Sequence, residues 1–137
     1  MLAKDAEPEI ARNQDPLVLP WNTTVVKAAR LMDHQSVSAV LVTEGDGTLV
    51  GIFTGRDAVA RVLARGRDPV ITTLGQVMTT NPIVMTPRHS AMEALRLMQD
   101  AHCRHLPVVD GGKVVGLVSR GDFRGVEQER LDEETGP

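Results

Sequence analysis

An α/β fold of the α+β kind, built from two pseudo-symmetric β-α-β-β-α repeats packed sheet to sheet, is what this sequence predicts, on three observations. The stretch Gly51-Ile52-Phe53-Thr54-Gly55-Arg56-Asp57 returns 65 residues later as Gly116-Leu117-Val118-Ser119-Arg120-Gly121-Asp122. Upstream of it, Asp15-Pro16-Leu17-Val18-Leu19 is matched by Asn81-Pro82-Ile83-Val84-Met85 at an offset of 66, and the triplets Arg30-Leu31-Met32 and Arg96-Leu97-Met98 are identical at that same offset. Each copy has about 60 residues, which is marginal as an independent folding unit, so the two must bury their sheet faces against one another about a pseudo-twofold axis.

Each element has a local cause. Residues 1–12 are polar, contain Pro8 and form a lead-in. The apolar run Leu17-Val18-Leu19, bounded by Pro16 and Pro20, reads as a brief strand. Asn22-Thr23-Thr24 supplies N-caps for a helix over Val25 to Met32, where apolar residues recur at helical spacing. Ser36 to Val42 reads as a buried strand, Glu44-Gly45-Asp46-Gly47 as turn chemistry, and Thr48 to Phe53 as the returning strand of a hairpin. A helix then runs from Gly55 to a C-cap at Gly66. In the second copy Ser90 and Glu93 have capping-box spacing, and Met92, Leu95 and Met98 form an apolar stripe. The turn Asp110-Gly111-Gly112 is one residue shorter than its counterpart, which changes the offset from 66 to 65. The expected organisation is a lead-in at 1–12, a first repeat at 13–66, a linker with one helical turn at 67–78, a second repeat at 79–127 and an acidic tail at 128–137. Phe123-Arg124-Gly125-Val126 begins a weaker final helix.

Composition narrows the function classes. Of 137 residues, 42% are apolar and 24% charged, ordinary values for a globular protein. A net charge of −3, without a Lys/Arg-rich run or exposed aromatic series, argues against nucleic acid. Cys103 is the single cysteine, so no intrachain disulfide framework exists and a reducing compartment is the default. No signal-peptide core or membrane-length apolar run occurs, and the expectation is a cytoplasmic protein without membrane contact.

The repeated motif places Thr54 and Ser119 where a strand gives way to a helix, with Asp57 and Asp122 three residues on. Two readings fit. The unpaired amides of a helix start, with a hydroxyl and a carboxylate, suit a phosphate and a sugar diol. The same Thr/Ser-x-x-Asp spacing is also a helix capping box that needs no ligand.

With the duplication in place, residues 13 to 127 resemble a tandem pair of CBS domains, the family named after cystathionine β-synthase. The resemblance rests on the doubled Gly-h-h-Thr/Ser-x-x-Asp motif (h, apolar), on Arg104-His105-Leu106-Pro107-Val108-Val109-Asp110, and on Val77-Met78-Thr79 at the entry to the second copy. It implies a stand-alone regulatory module, a homodimer of tandem pairs (Bateman modules), that binds an adenosine nucleotide such as AMP, ADP or ATP in clefts between repeats. S-adenosylmethionine is the less favoured ligand. The module would change shape toward an effector protein that the sequence does not identify.

By that resemblance each site is built crosswise. One combines Ile52, Thr54 and Asp57 with Thr79, Pro82, Val84, Arg104 and His105; the other combines Leu117, Ser119 and Asp122 with Asn13, Pro16, Val18, Val37 and Ser38. Asp57 and Asp122 would hold the ribose diol, and Thr54 and Ser119 would face phosphate. Arg104 and His105 favour the Asp57 site for charged nucleotide, since Ser38 and Ala39 stand at the matching positions.

The competing reading is a ligand-free structural or dimerisation module whose motif loops are only helix caps. Catalysis is disfavoured: there is no Gly-x-Ser-x-Gly elbow and no Gly-x-x-x-x-Gly-Lys phosphate loop. His102-Cys103-x-His105 is too crowded, and too isolated from a second cluster, for a tetrahedral metal site, so no metal is expected. His34 and His89 read as surface residues, and Met78, Met85, Met92 and Met98 as core filling.

Overall fold

The computed structural model describes residues 16–120; the lead-in, Asn13, Asp122, the final helix and the acidic tail lie outside the described residues. In the first repeat β1 (Val18–Pro20), α1 (Val25–Gln35), β2 (Ala39–Thr43) and β3 (Leu49–Thr54) follow in order. β1 runs parallel to β2 and β2 antiparallel to β3, with a bulge between Val42 and Thr43. Among the three candidate caps, Thr24 is the N-cap of α1, its hydroxyl accepting from the Lys27 amide. The helix ends on Ser36 in the left-handed conformation.

The second repeat restates this plan. Ser90 and Glu93 form the capping box of α4 (Ala91–Ala101), which ends on left-handed His102 as α1 ends on Ser36. β5 (His105–Asp110) and β6 (Lys113–Ser119) form the matching hairpin, with its bulge between Val108 and Val109. The duplication extends to single backbone bonds: Gly55 N donates to Ser38 O at 3.1 Å, and Arg120 N donates to Arg104 O at 2.8 Å.

Four expectations are corrected. The stretch Asn81 to Met85 is not a strand along its length; only Met85 pairs, beside Val108 in parallel. The cause lies just before it, where β4 (Thr79–Thr80) pairs with β3 of the first repeat and Asn81 then turns at φ 49. The chain is thus handed from one sheet to the other across 81–85, and Pro82, which has no N–H, sits in that crossing.

The helix after β3 is not uniform. A short α2 (Gly55–Asp57) passes directly into a π-helical segment (Ala58–Leu63), a rarer and wider winding that is frequent at functional sites. The stripe of α4 also differs: Ala91, Ala94, Leu95 and Met98 are buried and Met92 only partly. His89 is not a surface residue but half-buried, accepting at Nδ1 from the Thr86 amide at 2.9 Å, whereas His34 is exposed.

The linker is docked. Val25 N bonds Thr72 O, Val26 N bonds Pro69 O, Leu74 N bonds Thr23 O and Gly75 N bonds Trp21 O, so residues 69–75 are zipped to the start of α1. Its helical turn is α3 (Leu74–Val77), capped by Thr73 and Gln76.

Three apolar clusters hold these parts. The first packs α1, Val40, Val42, Phe53, Val62 and Leu74; the second packs α4, Met85, Leu106, Val108 and Val118. The third, Ala39, Leu41, Ile52 and Leu117 with Leu49 and Val114, draws on both repeats, which is the sheet-to-sheet packing that the duplication predicts. Alternation along β2 explains the division: Val40 and Val42 face the first repeat's own helix, while Ala39 and Leu41 face the other repeat. At one edge of this junction the two hairpin turns also meet, Leu49 N bonding Gly112 O and Lys113 Nζ standing 3.3 Å from Asp46 Oδ2.

Candidate functional site

The first motif folds as its spacing dictates. Thr54 Oγ1 accepts from the Asp57 amide at 3.3 Å, and Asp57 Oδ2 accepts from the Thr54 amide at 3.0 Å and from the Thr54 hydroxyl at 3.2 Å. The capping box is therefore complete without any ligand. Asp57 is nevertheless only 7% exposed, unusual for a residue whose function is local capping. Its second oxygen explains the burial. Oδ1 accepts from the Thr79 hydroxyl at 3.2 Å, across 22 residues of sequence, and lies 3.7 Å from Arg61 Nε.

These bonds assemble half of the first expected site. Ile52 pairs with Thr79 in the β3–β4 register and is buried at 7% exposure, with Thr54 and Asp57 a few residues along the same chain. Pro82 and Val84 lie half-buried on the crossing 81–85. Arg104 is exposed immediately before β5, and half-buried His105 opens that strand opposite Ser119.

The two expected sets are joined. Ser38, from the second, lies 3.1 Å from His105 Nε2, from the first. Because Gly55 N bonds Ser38 O, a continuous run of hydrogen bonds leads from Thr79 through Asp57, Thr54–Gly55 and Ser38 to His105. Of the remaining second-set residues, Leu117 is buried between the sheets, Ser119 ends β6, Val18 is 39% exposed on edge strand β1, and Pro16 and Val37 are half-buried. Asn13 and Asp122 lie outside the described residues.

Arg61 was not singled out from the sequence. Its Nη1 donates to Met78 O at 2.8 Å while Nε faces Asp57, so one guanidinium ties the motif to the residue before Thr79. The legible signal was the i, i+4 spacing of Asp57 and Arg61 on a helix. In the second repeat, burial pushes the Cys103 thiol up from its usual range, which disfavours the thiolate needed for a nucleophile or metal ligand. Among the described residues no group of three His, Cys, Asp or Glu side chains is placed to hold a metal ion, and no helix is long and apolar enough to cross a membrane.

Comparison with known proteins agrees with this architecture. The CBS domain family model matches twice, at residues 9–64 and 74–129. The CBS domain-containing protein YhcV of Bacillus subtilis is 40% identical over 102 residues, 74% of this chain and 71% of that protein. The Arabidopsis thaliana protein CBSCBSPB3 is 43% identical over 102 residues, but this chain spans only 18% of its length. A solved CBS-domain protein from Burkholderia ambifaria superposes with a TM-score of 0.77 at 34% identity, covering 96% of this chain and 93% of the other. The two repeats, their shared core and these matches together show that the chain belongs to the CBS domain family, as a tandem pair.

Proposed function

We propose that this CBS pair is a regulatory module that binds an adenosine nucleotide of the AMP, ADP or ATP class where its repeats meet, and passes occupancy to an effector protein through a change of shape. The observation that carries the reading is Asp57: a nearly buried carboxylate, set by the first repeat's motif and bonded to Thr79, at the head of the segment that crosses to the second repeat. A carboxylate so placed suits a sugar diol, and Arg104 supplies a permanent cation for phosphate beside His105, whose ring offers a hydrogen-bonding nitrogen. Aliphatic residues such as Ile52, Pro82 and Val84 suit an adenine held without aromatic stacking, in a chain with one Trp, two Phe and no Tyr. Ligand binding shifts shape only through different affinities for the two shapes, so the nucleotide must favour one arrangement of the repeats.

Self-association belongs to the same reading. Val59 and Leu63, one turn apart on the π-helical segment, are 59% and 68% exposed, and a second copy is the partner we assign to them. The module then acts as a cytoplasmic homodimer, and Leu63→Glu should yield a monomer by light scattering.

The second reading, a ligand-free structural module, is favoured by the completeness of the Thr54–Asp57 capping box. Titration calorimetry against AMP, ADP, ATP and S-adenosylmethionine separates the two. Saturable heat from an adenosine nucleotide supports the proposal. Absence of heat and of thermal shift at millimolar ligand sinks it.

A further inference from the structure

The Asp57 carboxylate is already in use. Its Oδ2 accepts from the Thr54 amide and hydroxyl, and its Oδ1 from the Thr79 hydroxyl. A carboxylate has roughly four acceptor positions, so one is left, on the oxygen next to Arg61. A vicinal diol brings two hydroxyl donors, and holding both requires that one present donor leave. The Thr54 amide is fixed by the cap, and the Thr54 hydroxyl also accepts from the Asp57 amide. Thr79 is the weakest held, because it belongs to a two-residue edge strand.

Other contacts bear on the same segment. Arg61 Nη1 donates to the Met78 carbonyl at 2.8 Å. On the other side, a Cβ at Gly51 would stand 2.9 Å from the Thr79 carbonyl oxygen, so Met78–Thr80 is seated directly against β3. That segment leads straight into the crossing 81–85 between the repeats. In the second copy the positions matching Arg61 and Thr79 carry Val126 and Asn13, so this set of side chains belongs to one site only.

We propose that Arg61 and Thr79 are positioning residues forming a latch, which holds Met78–Thr80 on the free Asp57 carboxylate and opens when a ribose diol takes the place of the Thr79 hydroxyl. Occupancy of the site is thereby transmitted to the chain that crosses between the repeats. The inference rests on the reading of Asp57 as a diol acceptor, and it reverses the sign expected of Thr79. A residue that only contacts ligand weakens binding when its hydroxyl is removed; a competitor for the carboxylate strengthens it.

The test uses the full chain with AMP, ADP and ATP as probes, calorimetry for affinity and hydrogen exchange for the peptide spanning Met78–Thr80. In the unaltered protein, nucleotide should raise exchange in that peptide. Thr79→Val should bind about two- to tenfold more tightly, the range of one net hydrogen bond. Its ligand-free exchange should already be raised, with little further rise on binding. Arg61→Gln should raise exchange without ligand, and Thr79→Ser, which keeps the hydroxyl, should match the unaltered protein and so control for folding. Nucleotide binding with Thr79→Val equal or weaker, or with no exchange response at Met78–Thr80, overturns the latch while the diol reading stands. No binding of any of the three nucleotides to the unaltered protein overturns both.

Discussion

Replacing Asp57 separates the two uses assigned to one carboxylate. Asp57→Ala removes the acceptor for the Thr54 amide, the Thr54 hydroxyl and the Thr79 hydroxyl. Bonds to a charged group contribute roughly 1.5–3 kcal/mol each and a cap about 1 kcal/mol, but both hydroxyls can turn to water, so the net loss of stability should be about 2–3 kcal/mol. The Arg61 contact adds nothing to this sum, since at 3.7 Å and with a 44% exposed partner it is screened. For a chain of this size the loss corresponds to a fall in Tm of about 8–12 °C. Losing two diol bonds to a charged acceptor should also weaken nucleotide binding by at least about 100-fold. Asp57→Asn keeps an acceptor oxygen in place, so it should lose about 1 kcal/mol of stability but still bind about tenfold more weakly. Denaturation under circular dichroism gives the first quantity, and calorimetry well below both Tm values gives the second. A variant that melts early but binds nucleotide like the unaltered protein refutes the diol assignment and leaves Asp57 as a cap alone.

Other outcomes follow from the same contacts. Gly51→Ala sets a Cβ against the Thr79 carbonyl, a backbone atom that cannot swing away, and should cost about 1–3 kcal/mol in denaturant unfolding. The Asp46 carboxyl is held at about 2, against 3.8 ordinarily, first by the Thr48 amide, then by the Thr48 hydroxyl and by Lys113. A lowered folded pKa contributes stability above the unfolded value that is lost as pH falls from 3.8 through about 2, so Asp46→Asn should flatten that part of an acid titration. Ser90→Ala removes the N-cap of α4 and should cost about 1 kcal/mol by thermal denaturation. Because burial raises the Cys103 thiol, alkylation by iodoacetamide at pH 8 should be slow in the folded protein and rapid in denaturant.

Much of the fold was legible because its causes are local. The caps at Thr24 and Ser90 and both hairpins depend on residues within a few positions of each other. Duplication supplied the one long-range inference, that the sheets face each other; the structure shows that they do so through Leu41, Ile52 and Leu117. The features that escaped are those in which distant parts compete for the chain. Thr79 and Thr80 are β-branched residues that suit either sheet, and they pair with the first where Gly51 leaves room for their backbone. The linker docks through backbone bonds that no side chain announces. In the site, Thr54 and Asp57 were readable from spacing, whereas the bond of Asp57 to Thr79 depends on β4 joining the first sheet and that of Ser38 to His105 on how the repeats meet.

Native mass spectrometry of the protein, as purified from cells and again after dialysis and addition of AMP, ADP or ATP, bears most directly on the claim that this CBS pair carries an adenosine nucleotide between its repeats. The unaltered chain should carry a mass increment of one adenosine nucleotide, and Asp57→Ala should lose it. A bare chain mass in every sample, or an increment that Asp57→Ala retains in full, would contradict that claim.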